Sequence, residues 1–251
     1  MFKITYEYFI VFNKIVWSEK VPFVYSLVFP GIAFLLTNYK WIISTPTTSE
    51  ILGSLNIYWA FIIFGVYLNG LGLQLSYFRE SGFLKTSTMI SGSKYPIFLG
   101  MAMTQFCFAF SSLTIFTVII GLLVQANVLL LLFIAYTTLF ITSLPIIFFM
   151  SWIPVVPARQ NTINTISNII LLPMVFITAI RPLTNNIMIE SLFSLLPTDY
   201  ISQVSIFLKR LVLNESVNFS SISIVIGSLV YIVLGSIFIG RIRLISSLSR
   251  N

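Results

Sequence analysis

The residues best suited to chemistry in this sequence lie close together, between residues 76 and 96. Four charges fall within this stretch: Arg79, Glu80, Lys85 and Lys94. Only 8% of the chain is charged, so this is its densest polar segment. The stretch interrupts two long apolar runs, which predicts a water-facing connection between two membrane-spanning helices. Side chains of this kind suit ion pairing with a soluble partner rather than bond-breaking chemistry.

Groups that could act in catalysis or ion coupling are missing from the apolar runs. The sequence has no histidine, one cysteine and seven carboxylates, and every carboxylate falls in a predicted loop or at an interface. No GxxxxGK[ST] phosphate-binding loop is present. Proton-coupled or sodium-coupled transporters, voltage sensors and intramembrane hydrolases need ionisable or nucleophilic groups at depth. We therefore expect no enzyme activity, no metal and no cofactor in this chain.

Six apolar runs predict an all-α integral membrane protein that forms one domain over residues 1–251. The hydrophobic fraction of 57% and the mean hydropathy of +0.99 exceed those of soluble domains. The predicted spans cover residues 21–43, 55–78, 95–121, 128–152, 162–180 and 222–240. The formal charge of +7 is divided among the loops between them, so the expected partner is membrane lipid and not nucleic acid.

Two further helices are predicted outside the spans. Residues 1–20 form a helix in which the polar side chains fall on one stripe, as in helices that lie in the membrane interface. The stripe consists of Lys3, Glu7, Lys14 and Ser18. A second helix runs from Thr198 to about Arg210, with an acidic first turn and a basic last turn. The apolar piece before it, 187–196, is too short to cross a membrane.

Lysine and arginine are divided unequally between the two predicted sides of the membrane. Ten of the fourteen fall on one side: Lys3, Lys14, Lys20, Arg79, Lys85, Lys94, Arg159, Arg241, Arg243 and Arg250. The positive-inside rule makes that side cytoplasmic. We expect a multi-pass protein of the cell membrane with both termini in the cytoplasm.

Residues 79–85, RESGFLK, followed by SGS at 91–93 and Pro96, resemble the coupling segment of type-2 ATP-binding-cassette (ABC) permeases. In that family an E-x-G-x-L-[KE] helix links the second and third spans and docks into a groove on a separate ATPase subunit. The chain length, the six predicted spans and the helices outside them fit the family as well. The chain resembles in particular Gram-positive exporters of peptides such as phenol-soluble modulins or bacteriocins.

This resemblance implies the membrane subunit of an ATP-driven exporter in a bacterial cell membrane. Two copies of a separate ATPase subunit would bind ATP and Mg, and this chain would bind neither. A second permease chain, expected to be identical, would complete the pathway as a homodimer. The cargo would be amphipathic or hydrophobic, with a peptide favoured and a lipid or drug as alternatives.

The resemblance also assigns roles to the charged stretch. The implied coupling residues are Arg79, Glu80, Gly82, Phe83, Leu84 and Lys85. Glu80 and Lys85 would pair with charges of the ATPase, and Phe83 and Leu84 would be apolar anchors in its groove. Gly82 would permit a sharp turn or a close approach. The ordinary alternative is a solvated loop between two helices.

Five polar residues inside the predicted spans are candidates for a translocation path: Asn69, Gln74, Gln105, Thr137 and Thr142. Side chains of this type also hydrogen-bond between membrane helices, so each has a purely structural interpretation too.

Two other classes of function remain open. A six-span chain without intramembrane charge suits a scaffold or sensor subunit that binds a different cytoplasmic protein. A secondary transporter is the third class, and the missing ionisable residues count against it.

Overall fold

A computed structural model describes residues 2–18, 20–42, 46–181, 187–215 and 220–242, and these ranges are helical without a strand. The predicted all-α fold is therefore confirmed. The helices are α1 (Phe2–Ser18), α2 (Lys20–Thr37), α3 (Thr48–Tyr67), α4 (Gln74–Glu80), α5 (Phe83–Ser91), α6 (Tyr95–Leu123), α7 (Val128–Met150), α8 (Gln160–Ile180), α9 (Ile187–Phe193), α10 (Pro197–Val212) and α11 (Ser220–Arg241). A π-helical segment, Leu68–Leu73, joins α3 to α4 without a break.

Five helices within the described ranges are long and apolar enough to cross a membrane. They are Thr48–Glu80, Tyr95–Leu123, Val128–Val155, Gln160–Ile180 and Ser221–Arg241. They correspond to the second to sixth predicted spans. The first predicted span, 21–43, is represented by α2 and by a 3-10 turn, Tyr39–Ile42, and the apolar helix described there, Ser26–Thr37, is shorter than a span. The multi-pass prediction holds for five helices, and the sixth span stays a prediction.

The first of these five helices starts earlier than predicted because a capping box fixes its end. Thr47 accepts a hydrogen bond from the backbone amide of Glu50 at 3.4 Å, and the Glu50 carboxylate accepts one from the Thr47 amide at 2.8 Å. This reciprocal pair satisfies two amide groups that would lack helical partners. The residues between 47 and 55, predicted as loop, are therefore helical.

The long helix formed by α3 and α4 lies at the centre of the bundle. Trp59 Nε1 donates to Thr117 Oγ1 on α6 at 3.0 Å, and Tyr67 Oη donates to Ser143 Oγ on α7 at 2.8 Å. Both aromatic side chains are fully buried. These hydrogen bonds join three long helices through groups that would otherwise be unpaired in an apolar interior.

Helices α9 and α10 form a hairpin that enters the bundle and returns. The turn between them contacts the middle of α11, where Tyr231 Oη donates to the carbonyl oxygen of Ser194 at 2.9 Å. Helix α10 packs against α3 and α7, and its far end reaches Gly53 near the start of α3 through Lys209. The helix predicted from Thr198 to about Arg210 is confirmed as Pro197–Val212, and most of its first half is buried.

Candidate functional site

Helix α5 lies between two glycines that set it at an angle to its neighbours. Gly82 precedes the helix with φ +76°, and Gly92 follows it with φ +71°. Both values lie in the left-handed region, which residues with a Cβ atom rarely adopt. The two glycines make α5 a separate short helix between α4 and α6, and Gly82 lies in the turn between α4 and α5.

One face of α5 packs on the chain and the other points outward. Leu84, 2% exposed, and Ser87 lie on the buried face. The outward face carries Lys85 and the partly exposed Phe83, together with Met89 and Ile90, which are 75% and 79% exposed. At 100° per residue these outward positions fall on one side of the helix. The result is an outward surface of apolar side chains with the exposed Thr86 among them and a basic edge at Lys85.

Helix α5 is held in place by contacts from three directions. The rings of Phe78 and Phe83 lie 4.6 Å apart between their centroids. Tyr8 Oη on α1 donates to the carbonyl oxygen of Ser87 at 3.0 Å. Just after the helix, Lys94 Nζ donates to the carbonyl oxygens of Gly240 (2.8 Å) and Ile242 (3.2 Å) at the end of α11. The outward face is thus presented by a supported helix.

Arg79, at the end of α4, is buried inside the chain and only 3% exposed. Its Nη1 donates to the carbonyl oxygens of Pro154 and Val156, both at 2.7 Å. Its Nη2 donates to the carbonyl oxygen of Ala158 at 3.0 Å. One guanidinium therefore binds three carbonyls of the connection between α7 and α8.

Glu80 continues this connection to the start of α8. Its carboxylate Oε2 accepts a hydrogen bond from the backbone amide of Gln160 at 2.7 Å. Gln160 is the first residue of α8, where amide groups lack helical partners and the helix dipole favours a negative charge. We call Arg79 and Glu80 with their partners in 154–160 the α4–α8 clamp.

The implied coupling residues divide into two groups in the structure. Phe83, Lys85 and the Glu80 side chain are exposed or partly exposed, so a partner could reach them. Arg79 and Leu84 are buried by the chain itself, so neither is available as a surface contact. Met89 and Ile90 were missed, although their helical spacing from Phe83 and Lys85 places all four on one face.

A cavity of about 930 Å³ lies next to the clamp and is lined by residues of α1, α2, α3, α4, α6 and α8 and of the π-helical segment. Six carboxamide side chains line it: Asn69, Gln74, Gln105, Gln160, Asn164 and Asn168. The rest of the lining is mostly apolar, and among the described residues that form it none is aspartate, glutamate, lysine or arginine. Asn69 comes from the π-helical segment, a distortion that often occurs at functional sites.

Gln105 is the most deeply placed of these amides. It is 2% exposed, and its Nε2 has no hydrogen-bond partner among the residues that the structure describes. The carboxamide lies directly against Gly70, where a Cβ atom would collide with it. The glycine therefore makes room for a buried carboxamide beside the cavity.

Two of the amides follow one another along α8. Asn164 and Asn168 are one helical turn apart and exposed, and Asn168 Nδ2 donates to Asn164 Oδ1 at 3.0 Å. With Gln160 one turn earlier, they form a ladder on a single face of the helix. The i, i+4 spacing of these residues is visible in the sequence, but it did not lead to their prediction as lining residues.

The structure brings three of the five predicted path residues together, namely Asn69, Gln74 and Gln105. Thr137 and Thr142 do not line this cavity. Each hydroxyl donates to the carbonyl oxygen four residues earlier, at 2.7 Å and 2.8 Å. This is the structural role that threonine commonly has within apolar helices.

A second polar cluster lies at the other end of α8. Arg181 Nε binds Asp199 Oδ1 at 2.7 Å, and Arg181 Nη2 binds Glu190 Oε2 at 3.0 Å, with all three side chains nearly buried. Gln203 Nε2 donates to Asp199 Oδ2 at 2.6 Å. Burial raises the pKa of Asp199 to about 6, although Arg181 and Gln203 act in the opposite direction. The sequence places these carboxylates outside the spans, and their pairing was not predicted.

Comparison with protein-family models, with curated proteins and with solved structures finds no match for this chain.

Proposed function

We propose that this chain is the membrane-spanning permease subunit of an ATP-driven ABC exporter that works with a separate ATPase. The observation that carries the proposal is helix α5. This helix has an outward apolar face and is fixed to the rest of the chain by the contacts described above. A surface that receives force from a docked protein needs both properties. The sequence resemblance of residues 79–96 to a coupling segment supports the same role.

A second observation that supports the proposal is the series of contacts that connects α5 with the cavity. Helix α5 follows Glu80 after a two-residue turn, and Glu80 and Arg79 bind the segment that leads into α8. Helix α8 in turn contributes three amides to the cavity. A displacement of α5 would therefore move α4 and the start of α8 together, because packed elements transmit strain. In the proposed exporter, ATP binding in the partner supplies this displacement.

The exposure of helix α8 also favours the presence of a second permease chain. This helix has the smallest buried share of the five membrane-length helices, with 17% of its most apolar stretch buried. Its exposed side chains include Asn161, Asn164 and Asn168, which are costly to place against lipid. A second copy of the chain facing α8 would cover these amides and complete a pathway of twelve spans, if α2 supplies the sixth span of each copy.

The competing class is a scaffold or sensor subunit, since the α5 face would suit any cytoplasmic partner. The identity of the bound protein distinguishes the exporter from the scaffold or sensor subunit. An ATPase with Walker motifs supports the exporter, and a stoichiometric partner without them supports the scaffold.

The test is purification of the full-length chain from its native membranes in a mild detergent, with identification of the co-purifying proteins. We expect an ATPase with the wild-type chain and its loss from Met89→Asp and Ile90→Asp. Met188→Asp is the matched control, because Met188 is 80% exposed but lies on α9, far from α5. That variant should retain the ATPase. Absence of any ATPase from the wild-type preparation would refute the proposal.

A further inference from the structure

We propose that Asp199 is a proton-binding site, and that its proton helps to hold the hairpin of α9 and α10 between α8 and α11. The ligand is a proton from the surrounding water. This role goes beyond the proposed function and requires no ATPase. We call Arg181, Glu190 and Asp199 the buried ion cluster. Its depth, its balance of charge and the contacts of the hairpin carry the proposal.

The buried ion cluster lies alongside a membrane-length helix and not beyond its end. Tyr200 Oη lies 2.8 Å from Ser228 Oγ, and Ser223 Oγ donates to Gln203 Oε1 at 2.8 Å. Asp199 comes directly before Tyr200 and one turn before Gln203 on α10, so it lies at the same level of α11. Ser223 and Ser228 are about 5–12 Å from the start of α11 along its axis. Because α11 is about as long as the apolar core of a membrane is thick, the cluster lies at a depth where ionisable side chains commonly belong to proton or ion sites.

The charges within the cluster are unequal. Its two carboxylates, Glu190 and Asp199, share one cation, Arg181, at 3.0 Å and 2.7 Å. With all three groups ionised, one negative charge is in excess among these described residues, and the side chains are at most 6% exposed. A buried excess charge is costly, which favours uptake of a proton by a carboxylate. Asp199 has the least exposed side chain of the three, and burial raises its pKa to about 6.

Groups on the other helices packed against α10 do not supply the missing positive charge. Tyr231 on α11 faces Asp199, but a tyrosine is neutral near pH 6, and the same holds for Tyr200. The titratable side chains of α3 and α7 bind partners elsewhere: Glu50 with Thr47, Tyr58 with Ala33, Tyr67 with Ser143 and Tyr136 with Thr114. The remaining described cations of the packed helices lie at the opposite ends of those helices: Lys209 and Arg210 on α10, Arg159 before α8 and Arg241 on α11.

The turn of the hairpin packs closely on α11. Tyr231 Oη donates to the carbonyl oxygen of Ser194 at 2.9 Å. Gly227 makes room for the turn, because a Cβ atom there would lie only 3.3 Å from this oxygen. Movement of the turn away from α11 would let water reach Asp199, and water favours its ionised form. The proton therefore stabilises the packed hairpin at low pH, and this contribution is lost as the pH rises through about 6.

The experiment titrates Asp199 in the full-length chain in lipid bilayers. Asp199 is the only aspartate in the sequence, so cell-free synthesis with aspartate that carries 13C at Cγ labels this one site. Solid-state NMR follows its carboxyl resonance from pH 4 to pH 9. The variants are Tyr231→Phe, which removes the hydroxyl that binds the turn, and Glu190→Gln, which removes the neighbouring negative charge. The matched controls are Tyr67→Phe, which removes a buried hydroxyl between α3 and α7, and Glu7→Gln, which removes an exposed carboxylate on α1.

In the wild-type chain we expect half-protonation of Asp199 near pH 6, well above the ordinary value of 3.8. Tyr231→Phe changes no charge in this pH range, but it loosens the hairpin. It should lower the midpoint by at least about half a pH unit, a threefold loss of proton affinity. Glu190→Gln should lower the midpoint too, since a nearby negative charge raises the pKa of a carboxyl. Both controls should titrate like the wild-type chain. A wild-type carboxyl that is already ionised at pH 5, or an unchanged midpoint in either variant, would overturn the proposal.

Hydrogen–deuterium exchange gives a second readout that needs no tyrosine variant. Backbone amides of residues 194–205 in the wild-type chain should be less protected at pH 7.5 than at pH 5, after correction for the intrinsic pH dependence of exchange. Asp199→Asn cannot titrate at this position and should show equal protection at the two pH values. Amides of α6, which contributes no group to the cluster, are the internal reference. Equal protection of residues 194–205 in the wild-type chain at both pH values would refute the link between the proton and the hairpin, even if Tyr231→Phe fails to fold.

Discussion

The carboxylate of Glu80 accepts a hydrogen bond from the backbone amide of Gln160 at 2.7 Å, and this contact joins the end of one membrane-length helix to the start of another. Eighty residues separate the two in the sequence. Glu80 lies two residues before Gly82, the glycine that precedes α5. Gln160 lines the cavity. The contact therefore lies between the proposed docking surface and the cavity.

Replacing Glu80 with alanine should separate docking from transport. The side chain is exposed, and a carboxylate at a helix N-terminus is worth about 0.3–1 kcal/mol, so the fold should persist. We expect Glu80→Ala to retain its ATPase in the membrane purification but to lose most ATP-driven peptide transport in vesicles. The control is Glu7→Ala, which removes an exposed carboxylate on α1, outside both the clamp and the outward face of α5. Unchanged transport by Glu80→Ala would show that the clamp does not transmit the motion.

Replacing Arg79 should lower stability instead. Its guanidinium binds three carbonyl oxygens that no smaller side chain can reach together. Hydrogen bonds to charged groups contribute about 1.5–3 kcal/mol each, so Arg79→Gln should clearly lower the thermal unfolding midpoint in detergent. Arg79→Lys should rescue only part of the loss, because a lysine lacks the fork geometry. A midpoint equal to that of the wild-type chain would contradict the role of the clamp.

The sequence predicted much of this fold because the length of an apolar run is a strong indicator of a membrane-spanning helix. The bounds of α6, α8 and α11 lie within two residues of the predicted spans. The earlier start of α3 was also readable, since Thr47 and Glu50 have the capping-box spacing, but the polar character of the segment favoured a loop.

The site was less predictable because its residues meet across the chain. Nothing near Arg79 indicates that its partners are backbone carbonyls 75 to 79 residues later. The same holds for Arg181, Glu190 and Asp199, which are separate in sequence and paired in space. Local patterns predict helices and their faces, whereas these contacts depend on how the helices pack.

Gly235 should tolerate no side chain. A Cβ atom at this position would collide with the backbone of Phe148 on α7, which cannot move aside as a flexible side chain could. Gly235→Ala should therefore destabilise the α7–α11 contact by about 1–3 kcal/mol, the usual range for overpacking. Gly240→Ala is the matched control on the same helix, because nothing lies within 4 Å of its Cβ position. Equal unfolding midpoints for the two variants would contradict the close approach of these helices.

Asp199 should make stability depend on pH. Its pKa is raised from 3.8 to about 6, chiefly by burial. The charged and titratable groups that face it are Arg181 at the end of α8, Glu190 on α9 and Tyr231 on α11. Between pH 4 and 6 the folded chain therefore binds more protons at this position than the unfolded chain. The contribution of Asp199 to stability is present at low pH and is lost as the pH rises through about 6.

The measurement is the difference between the unfolding midpoints at pH 5 and pH 7.5 for the wild-type chain and for Asp199→Asn. Asparagine keeps the shape of the protonated carboxyl but cannot titrate. In Asp199→Asn, the unfolding midpoint at pH 5 should therefore exceed that at pH 7.5 by less than in the wild-type chain. Glu7→Gln, which removes an exposed carboxylate on α1, should keep it. If the wild-type chain and Asp199→Asn respond equally to pH, another group is responsible, and the buried cluster acts only as a fixed connection between α8, α9 and α10.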